Sequence, residues 1–435
     1  MKKVILISLD ALSCTELSFL KKQPGFSRMI EKGSYCPNVY SVYPSVTFSC
    51  HASMDTGCLP SKHGIVSNHL IEPTAPKPPN NWYAKNIKRK TISDYAAEQN
   101  RKCLSIAWPM NAGNTTATLC WPDVAPDDRT WNEDGLKRLR DMFSEYGKGE
   151  DFLERFFFST PGLPEAWMRS DYPALDDLML NATYNMLTAY EWDIIMLHVF
   201  GMDSLKHDLG ANHPDKYEML KLYDQHISRF LDYVDNPPQN EDIALFVTGD
   251  HAALDIQKDV HINMLLEKMG LCRYGNDRIV EWDAYFDTCD GMAQMYVRPG
   301  CDAESIARKV SQSLEKHPAI AHCFFPKAIE ELGCDRNAAL AVEAHQGYSI
   351  SSVWNEKADQ EGITESFEKA THGYLPDLPD YQTLFFAYGP SVVAGRVIES
   401  MSIMDIFPTL CMHLGLETES VDGKLLDRVL KGIKS

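Results

Sequence analysis

Asp10, Thr47, Asp203, His207, Asp250, His251 and His372 bring three carboxylates, three imidazoles and one hydroxyl to a chain of 435 residues. Carboxylates and imidazoles are what divalent ions take as ligands, and a hydroxyl held beside such ions becomes a usable nucleophile at neutral pH. Most of the seven stand where an apolar run gives way to polar residues, which is where parallel-sheet proteins carry their ligand sites. The chemistry expected of such a set is a two-ion centre with one nucleophile.

Taken singly, each member has an ordinary reading beside the chemical one. Asp10 ends the run Val4-Ile5-Leu6-Ile7-Ser8-Leu9, where an aspartate serves as a ligand or caps the next helix. Thr47 opens a helical stretch that ends at Gly57, so it is a capping threonine or a nucleophile at a helix N-terminus, where free amides favour an anionic phosphoryl oxygen. Asp203 and His207 are four apart on a predicted helical turn and face one ion or form a surface ion pair. Asp250-His251 is sharper, because two adjacent ligand-type side chains follow the run Ile243–Thr248 and Gly249. His372 lies in a turn ahead of another apolar run.

The elements that must hold these residues are legible as a rhythm. Apolar runs at 3–9, 103–107, 193–199, 243–248 and 383–388 read as strands. Amphipathic stretches at 15–32, 48–56, 92–99, 134–145, 174–190, 215–234 and 402–414 read as helices. Continuous Val/Ile/Leu/Phe strands between helices predict an α/β, doubly wound, mainly parallel sheet with helices on both faces. Residues 110–172, rich in Trp, Pro, Asp and aromatic residues, read as an insertion over the sheet edge. Residues 262–370 carry a separate pattern, with strands at 293–298, 319–325 and 347–353 and helices near 303–316 and 326–333. The expected organisation is a core of 1–261 and 371–435, with an α+β cap at 262–370. The proline-rich 73–79 stretch reads as a loop.

Composition narrows the partners. A net charge of −19 with no basic stripe argues against a nucleic-acid partner, although two bound cations would reverse the local field for a small anionic substrate. The longest apolar runs are strand-sized, far below the roughly 18 residues of a membrane span, so no membrane partner is expected. The twelve cysteines lack framework spacing and read as reduced core thiols. A strand that begins directly after Met1-Lys2-Lys3 leaves no room for a signal peptide, which gives a cytoplasmic location as the expectation.

In combination the motifs are specific. Pro44-x-x-Thr47-Phe48, then Thr56-Gly57, Pro60 and His63-Gly64-Ile65-Val66-Ser67-Asn68, are followed by Asp203-x-x-x-His207-x-x-Gly210, Thr248-Gly249-Asp250-His251 and His372-Gly373-Tyr374. This order resembles the alkaline phosphatase superfamily, and within it the type I phosphodiesterase/nucleotide pyrophosphatase group. The resemblance covers roughly 1–110, 190–255 and 368–420. Asp405-Ile406-Phe407-Pro408-Thr409-Leu410 is similar to the family's final helix, a structural element.

The resemblance implies an alkaline phosphatase-like core and two divalent ions. One ion would be held by Asp203, His207 and His372, the other by Asp10, Asp250 and His251 with Thr47 bound to it. Zinc suits the imidazole ligands best, with manganese second. Asn68 would hydrogen-bond a phosphoryl oxygen beside the Thr47 amide. Phe48 would stack on a nucleobase or pack in the core, and Ala107-Trp108-Pro109 implies that Trp108 lies near the substrate pocket. Cys50 stands where the family often has Asn, and Lys206 where it often has Gly; Asp208 and His213 are further polar groups outside the motif.

The implied activity is hydrolysis of phosphate diesters or nucleotide pyrophosphates through a phospho-threonine at Thr47, on a small phosphate- or phosphonate-containing substrate, a nucleotide among them. A phosphonoacetate hydrolase and a phosphomonoesterase are the alternatives within the superfamily. Monoester or phosphonate work needs added positive groups for the dianion, for which Arg101, Lys102 and Lys206 are the candidates. A metal-binding protein without turnover is the alternative of another class; retention of six ligands and Thr47 weighs against it.

Overall fold

The computed structural model describes residues 2–75, 78–237, 241–276 and 278–432. Residues 76 and 77 of the expected proline-rich loop lie outside the described residues. The first strand, Lys2–Leu9, is buried from Val4 onward and lies at the centre of the main sheet. It pairs in parallel with Ile194–Val199 on one side and Asp242–Thr248 on the other. Cys103–Ile106 extends the sheet in parallel beyond Ile194–Val199, and Leu119–Trp121 from the insertion adds an edge strand beyond that. Thr383–Tyr388 pairs antiparallel with Asp242–Thr248, and Ser34–Tyr40 pairs antiparallel with it in turn. The sheet is therefore mainly parallel, with helices on both faces, as the apolar runs predict.

Full burial on both faces explains why these strands read as unbroken aliphatic runs rather than as alternating ones. One apolar cluster takes Ile5, Ile7 and Leu9 together with the helices Pro24–Lys32, Ala174–Ala189 and Lys216–Asp235. The other takes Val4 and Leu6 with the helices Thr47–Thr56 and Ile406–Leu414. Each fully buried aliphatic side chain contributes about 1.5–3 kcal/mol. A charge at Ile5 or Leu6 would therefore break the sheet at its centre.

A second, four-stranded antiparallel sheet runs Ala284–Cys289, Met292–Val297, Leu340–Ala344 and Ile320–Phe324. The helix Ala303–Leu314 packs on it through Ala307, Val310 and Leu314. Its core reaches past the expected 262–370 bounds, taking in Ala252, Ile256 and Val260 before them and Tyr374 and Tyr381 after. Of the strands that the sequence reading does not give, two are hidden for identifiable reasons. Pro37 inside Ser34–Tyr40 hides a strand. In Leu340–Ala344 a buried Glu343 interrupts the apolar run, and its carboxylate is taken by the Tyr43 hydroxyl and the Leu375 amide.

All twelve cysteines are unpaired, and nine of them are buried. Among the described residues no helix is long and apolar enough to cross a membrane.

Candidate active site

The parallel register sets Leu9 beside Val199 and Ser8 beside Thr248, so three strands end at one level and deliver their next residues to one place. Asp10 follows Leu9 directly. After Val199 the chain turns into the helix Gly201–Leu209, which carries Asp203 and His207 one turn apart. After Thr248, Gly249 passes so close to its neighbours that a β-carbon there would lie 2.2 Å from the Leu12 carbonyl oxygen. Only glycine lets Asp250 and His251 project from this strand end. Gly373, at φ +87, is the same device behind His372: a β-carbon would lie 1.9 Å from the Cys289 carbonyl oxygen.

The ligand-type atoms gather in overlapping groups. One atom each from Asp203, His207 and His372 lie within 4.8 Å of one another, and so do atoms from Asp10, Asp203 and His251. Asp203 thus belongs to both groups. Asp250 joins a third, fully buried group with His51 and His198, and its Oδ2 is also 3.3 Å from His251 Nε2. The rings of His251 and His372 are 4.0 Å apart, and those of His207 and His372 5.2 Å.

Whether this set suits cations is testable on its hydrogen bonds. Asp10 Oδ1, Asp203 Oδ1, Asp250 Oδ2 and His372 Nδ1 are buried and make no hydrogen bond among the described residues. Buried carboxylate oxygens left unpaired are expensive, and three in one cluster is more than a folded core carries without a counter-charge. Burial, with Asp250 and Asp203 nearby, holds Asp10 well above the usual carboxylate range; burial also raises Asp250. Burial works against the charged form of Asp203 too, but His207 overrides it and holds the carboxyl well below its ordinary value. His207 resists its burial for the same reason and is pushed up to about 12 by Asp203 and Glu368. The donor set fits divalent cations.

Tautomers follow from the partners. His251 Nδ1 faces the Ala252 carbonyl at 3.2 Å and must donate, so Nε2 carries the lone pair. Burial lowers this ring to about 4, keeping it neutral. Thr47 Oγ1 lies 3.2 Å from that Nε2 and donates its proton to it. His51 Nδ1 donates to the Thr47 carbonyl at 2.8 Å, and its Nε2 accepts from Ser8 Oγ at 2.9 Å. His198 Nε2 lies 3.1 Å from Asp10 Oδ2, which leaves Oδ1 as the free oxygen.

Thr47 is the first residue of the helix Thr47–Thr56, which ends on Gly57 at φ +66. Asn68 Oδ1 accepts from the Phe48 amide at 2.9 Å, so its Nδ2 is the edge left to donate. Phe48 packs with Ala52, Ile65 and Met110, and Trp82 covers that cluster. Trp82 also lines a cavity of about 140 Å³ with Asn80, Asp123, Trp167, Tyr172 and Phe200. Trp108 is 1% exposed, and its ring lies edge-on to that of His51 at 4.9 Å.

Several contributors escape sequence reasoning. His51 stands one turn after Thr47, a spacing that could have drawn attention to it, whereas nothing local marks His198. Glu368 Oε2 lies 3.2 Å from His207 Nδ1, and Asp290 Oδ2 3.5 Å from His372 Nδ1, each from a loop distant in sequence. Of the cationic candidates, Arg101 is held by Asp193 and the Leu414 carbonyl, and Lys102 pairs with Glu191. Lys206 is buried against Glu16. Asp208 is exposed, and His213 bonds locally to the Asp215 amide. Cys50 is a core residue.

A family model described as type I phosphodiesterase / nucleotide pyrophosphatase matches residues 4–375. Bis(5′-adenosyl)-triphosphatase ENPP4 of Pongo abelii is 21% identical over 97% of this chain and 80% of its own length. Human ectonucleotide pyrophosphatase/phosphodiesterase family member 5 is 21% identical over 95% of this chain and 75% of its own. Among solved structures, an inactive murine ectonucleotide pyrophosphatase/phosphodiesterase 5 in complex with AMP superposes with a TM-score of 0.66 at 17% identity, covering 98% of both chains. These relatives overturn the cytoplasmic location expected from sequence, because ectonucleotide enzymes by name act outside the cytoplasm. A strand that starts at Lys2 is a property of the sheet and carries no cellular address.

Proposed function

The chain belongs to the type I phosphodiesterase/nucleotide pyrophosphatase family, and on that premise we propose that it hydrolyses nucleotide diesters or pyrophosphates through a covalent intermediate on Thr47. The observation that carries this reading is the Thr47 hydroxyl, 3.2 Å from the lone pair of His251 at the rim of a cluster of unpaired carboxylate oxygens.

Asp203, His207 and His372 would hold one divalent cation; Asp10, Asp250, His251 and Thr47 would hold the other. Bound there, zinc would act as a Lewis acid on the hydroxyl and on water and would offset charge gathering at phosphorus. The chain's own residues do the rest. His51 fixes the Thr47 carbonyl and with it the first turn of the helix. Thr47 Oγ1 releases its proton to solvent and attacks phosphorus in line, the bond to the leaving oxygen breaks, that oxygen takes a proton from water, and a nucleotidyl-threonine forms. Water then attacks the same phosphorus from the opposite side, the bond to Thr47 breaks, and the hydroxyl regains its proton. Asn68 Nδ2 and the amides at the helix start would donate to the nonbridging oxygen. Glu368 orients the ring of His207, as carboxylates behind metal-ligating histidines do, and Asp290 faces the His372 ring at 3.5 Å without hydrogen-bonding it.

The substrate class follows from what surrounds this centre. The aromatic cavity of Trp82, Trp167, Tyr172 and Phe200 adjoins the Phe48 cluster and suits a flat base. Arg101 and Lys102 are committed to carboxylates elsewhere, and Lys206 is turned into the core, so these three offer nothing to a second phosphate charge. That favours a diester over a monoester or phosphonate. Bis-p-nitrophenyl phosphate, p-nitrophenyl phosphate, a thymidine 5′-diester and phosphonoacetate assayed side by side test the reading. Diesters should turn over fastest; comparable or better turnover of the monoester or of phosphonoacetate would overturn it.

A further inference from the structure

Lys206 is 1% exposed, although it lies between Asp203 and His207 on the same helix. Its Nζ donates to the Ala11 carbonyl at 2.7 Å and pairs with Glu16 Oε2 at 3.2 Å. Glu16 is fully buried and bonded throughout: Lys216 Nζ reaches Oε1 at 3.0 Å, Thr15 Oγ1 donates to Oε1, and the amide and hydroxyl of Ser13 donate to Oε2. Two ammonium groups on one carboxylate leave one positive charge behind the cluster of carboxylates.

Ala11 is the hinge of this arrangement. It follows Asp10 directly and sits at φ +55, in the left-handed region that a β-carbon disfavours. Its carbonyl is held by Lys206, and its amide donates to Asp250 Oδ1 at 3.0 Å. One peptide segment is thus gripped from both sides. Lys206 comes from the helix bearing Asp203 and His207; Asp250 comes from the strand end bearing His251. The glycine that the family signature often carries at position 206 could reach neither Ala11 nor Glu16.

We propose that Lys206 is a positioning residue that ties the Asp203/His207 helix to the Asp10–Ala11 turn and so sets the spacing of the two cation sites. This rests on the two-cation reading above. Glu16 keeps Lys216 when Lys206 is replaced, so the substitution removes the link without leaving a buried carboxylate alone.

Full-length K206M and K206R, titrated with Zn2+ by calorimetry and assayed on bis-p-nitrophenyl phosphate, test this. K206M should keep its first cation but bind the second about 10-fold or more weakly, the scale of losses behind a metal ligand. Its kcat should fall by a similar factor with KM little changed, and K206R should restore part of both. If K206M does not fold, K206Q, which can still donate to Ala11, takes its place and should fall between the parent and K206G. A parent protein that binds two cations and a variant that binds both unchanged, with only its Tm lowered, would overturn the proposal alone. A parent that binds fewer than two would overturn it together with the two-cation reading.

Discussion

Thr47 and His251 are 204 positions apart in sequence, yet the Thr47 hydroxyl donates to His251 Nε2 across 3.2 Å. The contact exists because a helix N-terminus and a strand C-terminus meet at the same edge of the sheet. It has a chemical direction, since His251 spends its other nitrogen on the Ala252 carbonyl and keeps Nε2 open. A hydroxyl so placed is poised to lose its proton when a cation takes the imidazole lone pair beside it.

Thr47→Ala should therefore abolish turnover, by roughly 10^4-fold or more, as loss of a nucleophile does. The helix would remain, since Phe48 through Thr56 are buried and Gly57 ends it. Far-ultraviolet circular dichroism and Tm should match the parent, and Thr47→Ser should retain measurable activity. Parent-level kcat in the alanine variant would contradict the assignment.

Asn68→Ala should lower kcat by about 10²–10³, the usual cost of one donor to a charge-bearing oxygen. Asn68→Asp should be at least as damaging: its carboxylate keeps an acceptor for the Phe48 amide but replaces the Nδ2 donor with negative charge facing phosphate. An aspartate variant more active than the alanine variant would show that Asn68 serves only to hold Phe48.

Metal removal should destabilise the fold in a pH-dependent way. Without cations, burial holds the carboxyls of Asp10 and Asp250 above the ordinary aspartate value of 3.8. The metal-free native state then holds protons that the unfolded chain has released, so its stability falls as pH rises from about 3.8 through the raised values. Cations relieve that penalty, and they must also displace a proton from His207, which is raised to about 12. Both effects make binding tighter at higher pH. Saturation at 100 times Kd adds about 2.7 kcal/mol per site. The gain in Tm on adding Zn2+ after chelation should be larger at pH 8 than at pH 6; a gain that shrinks with pH would contradict the ligand set.

Glu16 carries the opposite sign. Its burial disfavours the charged form, but Lys206 and Lys216 win and hold it at about 2, against an ordinary 4.5. A depressed acid contributes stability that is present above pH 4.5 and lost as pH falls toward 2, here on the order of 3 kcal/mol. Glu16→Gln should accordingly lower denaturant-derived stability at pH 7, with the difference from the parent shrinking between pH 4.5 and 3. An undiminished difference at pH 3 would contradict the charged triad.

The sequence reading succeeded where one signal was local. Val4–Leu9 and Ile243–Thr248 are strands buried on both faces, so their aliphatic runs identify the sheet, and the residues just past them are ones that the fold brings together. It failed where burial was bought by distant partners. Glu343 sits in a strand because Tyr43 and Leu375 satisfy its carboxylate, and Lys206 is buried because Glu16 waits 190 positions away. Neither partner is signalled at the residue itself. The contact between Trp108 and His51 is likewise unmarked at either residue, although the Trp108 motif implies a place near substrate. The compartment was misread for a different reason, since a strand start was used as evidence of cellular address.

Phosphorus should pass to Thr47 before water takes it. Acid-quenching the enzyme within one turnover of a thymidine 5′-diester and sequencing its peptides by mass spectrometry tests this most directly. A thymidylyl group should appear on Thr47 in early time points, be absent from T47A and decay as product appears. Full turnover with no adduct at any early time, or an adduct on another residue, would contradict it.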